Sequence, residues 1–192
     1  CGGMIRHVFS PSMNYHLPDC DRIKYDDAMR LYGSDKPDLR FDCKIVELNG
    51  LLPTSDFAVF NNAIANGGIV AGLNAKGCAT YSRKLADELT EFVKVTHRGL
   101  SGLVTVRCNE DGTVKSSIDK FFTEEQLREI GKAFDAQKGD LLLLAADKTS
   151  KVRKALGDLR LELAKRNNWI AKDAWSVLWV VDFPLFEKDE ES

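Results

Sequence analysis

Gly139-Asp140-Leu141-Leu142-Leu143-Leu144-Ala145-Ala146-Asp147 is the stretch on which the fold turns. Six consecutive apolar residues between a Gly-Asp turn and an aspartate are too short for an ordinary helix and read as a buried central strand. The chain then enters its longest helical pattern, Ser150 to Arg166, with Val152, Ala155, Leu156, Leu159 and Leu163 as the apolar stripe. Upstream, Thr123-Glu124-Glu125-Gln126 has the form of a capping box and opens a helix through Leu127, Ile130 and Phe134. Before it, Leu103–Arg107 and Thr113–Ile118 flank Asp111-Gly112, a dipeptide that favours a tight hairpin between alternating runs.

Farther out, Gly68–Ala75 reads as a strand, and Thr80–Val95 as a helix. The helix has Leu85, Leu89, Phe92 and Val93 on one face and Thr80 or Ser82 as cap. Ile45–Leu48 and Phe57–Phe60 are short strand-like runs, and Val177–Val181 is a last strand. This succession predicts an α+β fold of two layers, a mainly antiparallel sheet with helices packed on one face.

Composition sets the outer limits. The chain has 192 residues, enough for one good core, with 44% hydrophobic residues and a net charge of −2. That balance singles out no partner, so only the local placement of charge can. No apolar run approaches the roughly 18 residues of a membrane span, and no secretory signal is visible. Five cysteines, Cys1, Cys20, Cys43, Cys78 and Cys108, are scattered without CxxC spacing, which argues against zinc and disulfides and for the reduced thiols of a cytoplasmic protein. His7, His16 and His97 have no partner at ligand spacing, and Cys78 and Cys108 read as small core fillers with no histidine placed to activate them. No glycine-rich mononucleotide loop is present.

Two charged stretches stand out. In Tyr32-Gly33-Ser34-Asp35-Lys36-Pro37-Asp38-Leu39-Arg40, Gly33 and Pro37 break regular structure, and Ser34 and Asp35 are turn formers. Asp35, Lys36, Asp38 and Arg40 alternate in sign, which suits mutual pairing and backbone capping better than one anionic ligand. The long helix carries Lys148, Lys151, Arg153, Lys154, Arg160, Lys165 and Arg166 against Asp158 and Glu162. Lys151, Arg153, Lys154 and Arg160 are the candidates for facing RNA phosphates, set against the ordinary reading of a solvated basic face.

The flanks carry a resemblance. Tyr25-Asp26-Asp27-Ala28-Met29-Arg30-Leu31, running into the Tyr32–Arg40 loop, closely resembles a block of the bacterial-type, class II aspartyl-tRNA synthetases. Leu178-Trp179-Val180-Val181-Asp182-Phe183-Pro184-Leu185-Phe186-Glu187 resembles a second block. In that family the two bracket an insertion, the GAD domain, shared with a subunit of the tRNA-dependent Glu-tRNA(Gln) amidotransferase. The resemblance implies a two-layer α+β insertion (GAD/DCoH-like) at 41–175, with catalytic-domain stubs at 1–40 and 176–192. Cys1-Gly2-Gly3 ahead of Met4, and the open acidic end, fit an excised piece.

The resemblance also implies a parent that charges tRNA(Asp) with aspartate using ATP and magnesium, a cytoplasmic homodimer, with the piece itself monomeric and not in a membrane. The family's arginine-bearing motifs and its histidine pair are not found here, so no catalytic, cofactor or metal residue is carried onto this sequence. Ser34, Asp35, Lys36, Asp38 and Arg40 are expected to hold the junction between host and insertion. A tRNA-docking domain of the amidotransferase subunit is the alternative, and the two flanking blocks speak against it.

Overall fold

The computed structural model describes residues 3, 20–52, 55–96 and 100–186. Its elements are β1 (Asp21–Lys24), α1 (Tyr25–Tyr32), β2 (Val46–Glu47), α2 (Ala58–Ala65), β3 (Ile69–Ala75), α3 (Arg83–Thr96), β4 (Val104–Cys108), β5 (Val114–Ser116), α4 (Glu124–Ala133), β6 (Leu141–Asp147), α5 (Thr149–Arg166) and β7 (Leu178–Val181). The Ile5–Phe9 segment, the three histidines and Cys1 lie outside the described residues.

Five strands form one antiparallel sheet in the order β2-β3-β6-β4-β5. β6 is its middle strand, as the apolar run demands. Leu141 to Ala145 are at most 1% exposed. Alternation then sends its side chains to opposite faces. Leu141, Leu143 and Ala145 pack with Ala71 and Leu73 against Leu89 and Val93 of α3 and Val152, Leu156, Leu159 and Leu163 of α5. Leu142, Leu144 and Ala146 pack with Val70 and Val106 against Phe60 of α2 and Leu127 and Ile130 of α4.

The α+β class and the mainly antiparallel sheet are therefore as expected, but the single helical layer is corrected. Helices cover both faces, because β3 and β6 have no polar face to offer water, apart from the hydrogen-bonded Asn74. Phe57–Phe60 is a second correction. It opens helix α2 rather than forming a strand, since a four-residue apolar run carries no period of its own. Phe60 is the buried anchor, and Phe57 meets it edge-on at 4.8 Å.

Local signals placed the other elements. Thr123 caps α4 with the reciprocal Gln126 bond, and Ser82 Oγ accepts from Leu85 N–H at the start of α3. β4 and β5 form the expected hairpin around Asp111-Gly112, with Asp111 accepting from Thr113 N–H at 2.8 Å. β7 does not join the main sheet. It pairs in parallel with β1, Lys24 opposite Val181, and Tyr25 stacks on Phe183 at 5.0 Å. No described helix is long and apolar enough to cross a membrane.

Candidate functional site

The leading flank and the main sheet meet on α5. Helix α1 ends at Gly33, which takes a left-handed φ of 68° and donates its N–H to Met29 O at 3.0 Å. A Cβ on Gly33 would overlap the Arg153 carbonyl oxygen of α5. One on Gly157 would lie 2.8 Å from the Tyr32 carbonyl oxygen and 2.9 Å from that of Gly33. A glycine on each side thus lets the end of α1 lie directly on α5.

One turn farther along α5, Arg160 faces inward and is 1% exposed. Its Nε donates to Cys43 O and a terminal nitrogen to Asp38 O, both at 2.9 Å. Its guanidinium lies 4.2 Å from the Phe41 ring centroid and 5.0 Å from that of Tyr32. Burial pulls its pKa below the ordinary guanidinium value, the sign of a charge withdrawn from water. The cation is held by carbonyls and π faces rather than by a carboxylate bond. It therefore fixes the path of the whole 32–43 segment.

Within that loop Asp38 is already engaged. Its carboxylate takes Arg40 in a two-pronged pair at 3.0 and 2.7 Å and also accepts Arg40 N–H at 3.0 Å. The side-chain bond from Arg40 holds its pKa below the usual carboxylate range. Ser34 Oγ accepts from Lys36 N–H at 3.1 Å. Pro37 is buried, Asp35 half-buried and Lys36 exposed. Arg153 closes the far side by donating twice to Glu47 Oε1, at 3.0 and 2.7 Å, and Ile45 N–H reaches Leu31 O at 2.8 Å.

These contacts redraw the basic face of α5. Arg160 is removed from the RNA-facing candidates, because its side chain is spent inside the fold. Arg153 is tied to Glu47, and Lys151 to Asp147 at 3.2 Å, while Lys154 is exposed. The signal for Arg160 was its place within the apolar stripe, four residues after Leu156 and three before Leu163.

A second buried polar knot was read only as a turn. Asp140, 5% exposed, accepts from Gly77 N–H and Gln137 N–H at 2.9 Å and from Asn74 Nδ2 at 3.0 Å. It joins the turn after β3 to the one before β6, a structural task with no reacting partner. The described cysteines are free thiols. Cys43, Cys78 and Cys108 are buried, and burial pushes all three thiols up, Cys43 to about 11. Among the described residues no group of three acidic, histidine or cysteine side chains is placed to hold a metal ion.

Comparison with known proteins agrees with this anatomy. The GAD domain family model matches residues 60–156, from the start of α2 into α5. Nearly the whole chain aligns with curated relatives. It is 48% identical over 191 residues to the aspartate–tRNA ligase of Bacteroides fragilis, covering 98% of this chain and 32% of the relative. It is 46% identical over 192 residues to that of Porphyromonas gingivalis, covering 99% and 32%. The aspartate–tRNA(Asp/Asn) ligase of Caldanaerobacter subterraneus subsp. tengcongensis is 46% identical over 189 residues, with 98% and 31% covered. The chain thus spans about a third of the length of these relatives.

Proposed function

The chain belongs to the GAD-domain family, and from that premise we propose that it is the insertion-bearing segment of an aspartate–tRNA ligase. The parent activity is ATP- and magnesium-dependent charging of tRNA(Asp), carried out by a cytoplasmic homodimer. The observation that carries the reading is the alignment of both flanks, and not only of the insertion, with ligases of which this chain spans a third.

The flanks behave as parts of something larger. A parallel pair of four-residue strands, none of whose residues is buried, is not a stable unit alone. Beside it Phe183, Leu185 and Phe186 are 55%, 88% and 84% exposed. Such apolar surface calls for cover by neighbouring structure, and the missing two thirds of the relatives' length supplies the chain to do it. In this reading the domains run 1–40, 41–175 and 176–192. ATP, magnesium and aspartate bind outside this segment, and Ser34, Asp35, Lys36, Asp38 and Arg40 form the junction that Arg160 seats.

The full parent polypeptide, given tRNA(Asp), ATP and labelled aspartate, is expected to form aspartyl-tRNA. A parent that leaves aspartate unattached but amidates glutamyl-tRNA(Gln) would replace this reading with the amidotransferase one.

A further inference from the structure

The β4–β5 hairpin is covered on one face only. On the side of α4 its apolar residues pack into the core, but on the α3 side Thr105, Arg107, Lys115 and Ser117 line an open groove of about 480 Å³. Across it stand Arg83, Asp87 and Thr90 of α3. Arg107 and Lys115 are directly opposite each other in the sheet register. Like charges facing across two strands destabilise a hairpin, and among the described residues no carboxylate forms an ion pair with either. Arg107 is held in place by donating to the Ala79 carbonyl oxygen, so its fork is oriented in advance.

Resting on the ligase reading above, we propose that this groove binds the phosphate backbone of RNA, with Arg107 and Lys115 sharing one phosphate and Arg83 facing the next. Three bases against Asp87 and Asp119 leave the groove net positive by one charge. Thr105 and Ser117 add hydroxyl groups along its floor, suited to phosphate and 2′-hydroxyl contacts without base readout. An anion between Arg107 and Lys115 turns their repulsion into a paired clamp, which accounts for a sheet position that folding alone disfavours.

The test uses the full parent polypeptide and a tRNA(Asp) transcript. Lys115→Gln is the informative variant, because Lys115 is exposed and its loss relieves the opposed charges. Loss of one phosphate contact lowers the log–log salt slope by about 0.7–0.9, so affinity should fall about threefold more at 50 mM than at 200 mM salt. Melting temperature should hold or rise. Cross-links from thio-substituted tRNA should fall in the peptide 103–117. An unchanged slope and affinity, a drop in melting temperature, or protection by inorganic phosphate without tRNA binding in the groove would overturn the proposal. Charging separates the two claims. A parent that charges tRNA(Asp) but ignores Lys115→Gln loses only the groove, whereas one that does not charge loses the ligase reading.

Discussion

Arg160 shows how one side chain can set the course of a dozen residues. Replacing it by Met keeps the packing volume but strands the carbonyls of Asp38 and Cys43, each worth about 1–3 kcal/mol when left unpaired. Arg160→Met should therefore lower unfolding free energy in urea by about 2–6 kcal/mol and speed amide exchange across 38–45. Unchanged stability would mean that the loop holds itself. Two glycine substitutions give opposite signs. Gly131→Ala meets nothing closer than Ala136 Cβ at 4.0 Å and should stabilise by about 0.5–1 kcal/mol, as a helical alanine does. Gly157→Ala earns the same helical gain but drives Cβ onto the Tyr32 and Gly33 carbonyls, so overpacking of about 1–3 kcal/mol should win. Thermal melts of both variants check the pair. Cys43 adds a pH signature. Its thiol pKa rises from 9.0 to about 11 on folding, so the folded state holds the proton longer. The stability is fully present below pH 9 and is lost as pH rises through about 11. Cys43→Ala should flatten that alkaline slope, and at pH 8 iodoacetamide should modify Cys20 before Cys43.

Among the elements, β6, the hairpin, α3, α4 and α5 were legible in the sequence because each carries a signal of its own: an unbroken apolar run, an Asp-Gly turn, a capping Ser82, a capping box, an apolar stripe. Thr123→Ala should remove about 1 kcal/mol by deleting that box, measurable in the urea midpoint. What escaped lacks a local signal. Phe57–Phe60 is too short to show a period, and β1 is a charged segment, Asp21-Arg22-Ile23-Lys24, that becomes a strand only because β7 lies beside it. The second helical layer was implicit in Leu141–Ala146, since six apolar residues on a strand need cover on both faces, but nothing in the sequence said which helix went where. Likewise the 32–40 loop announced its turns and the mutual pairing of its charges, while its anchor lay 117 residues away from Cys43 on a helix that looked only basic.

At the scale of the whole molecule, a complete two-faced core sits beside an incomplete one. The central strands β3 and β6 of the five-stranded sheet are covered on both faces, whereas β1, β7 and the Phe183–Phe186 end leave large apolar side chains exposed. Through Gly33, Gly157 and Arg160 the 32–43 segment is seated firmly on α5. The proposed ligase reading divides the labour, with chemistry in the remainder of the parent and scaffolding in this segment. Aspartate-dependent exchange of pyrophosphate into ATP, measured side by side for the parent polypeptide and for residues 1–192 alone, tests that division most directly. The account predicts brisk exchange by the parent and none by the segment. Exchange catalysed by the segment itself, dependent on aspartate, would contradict it.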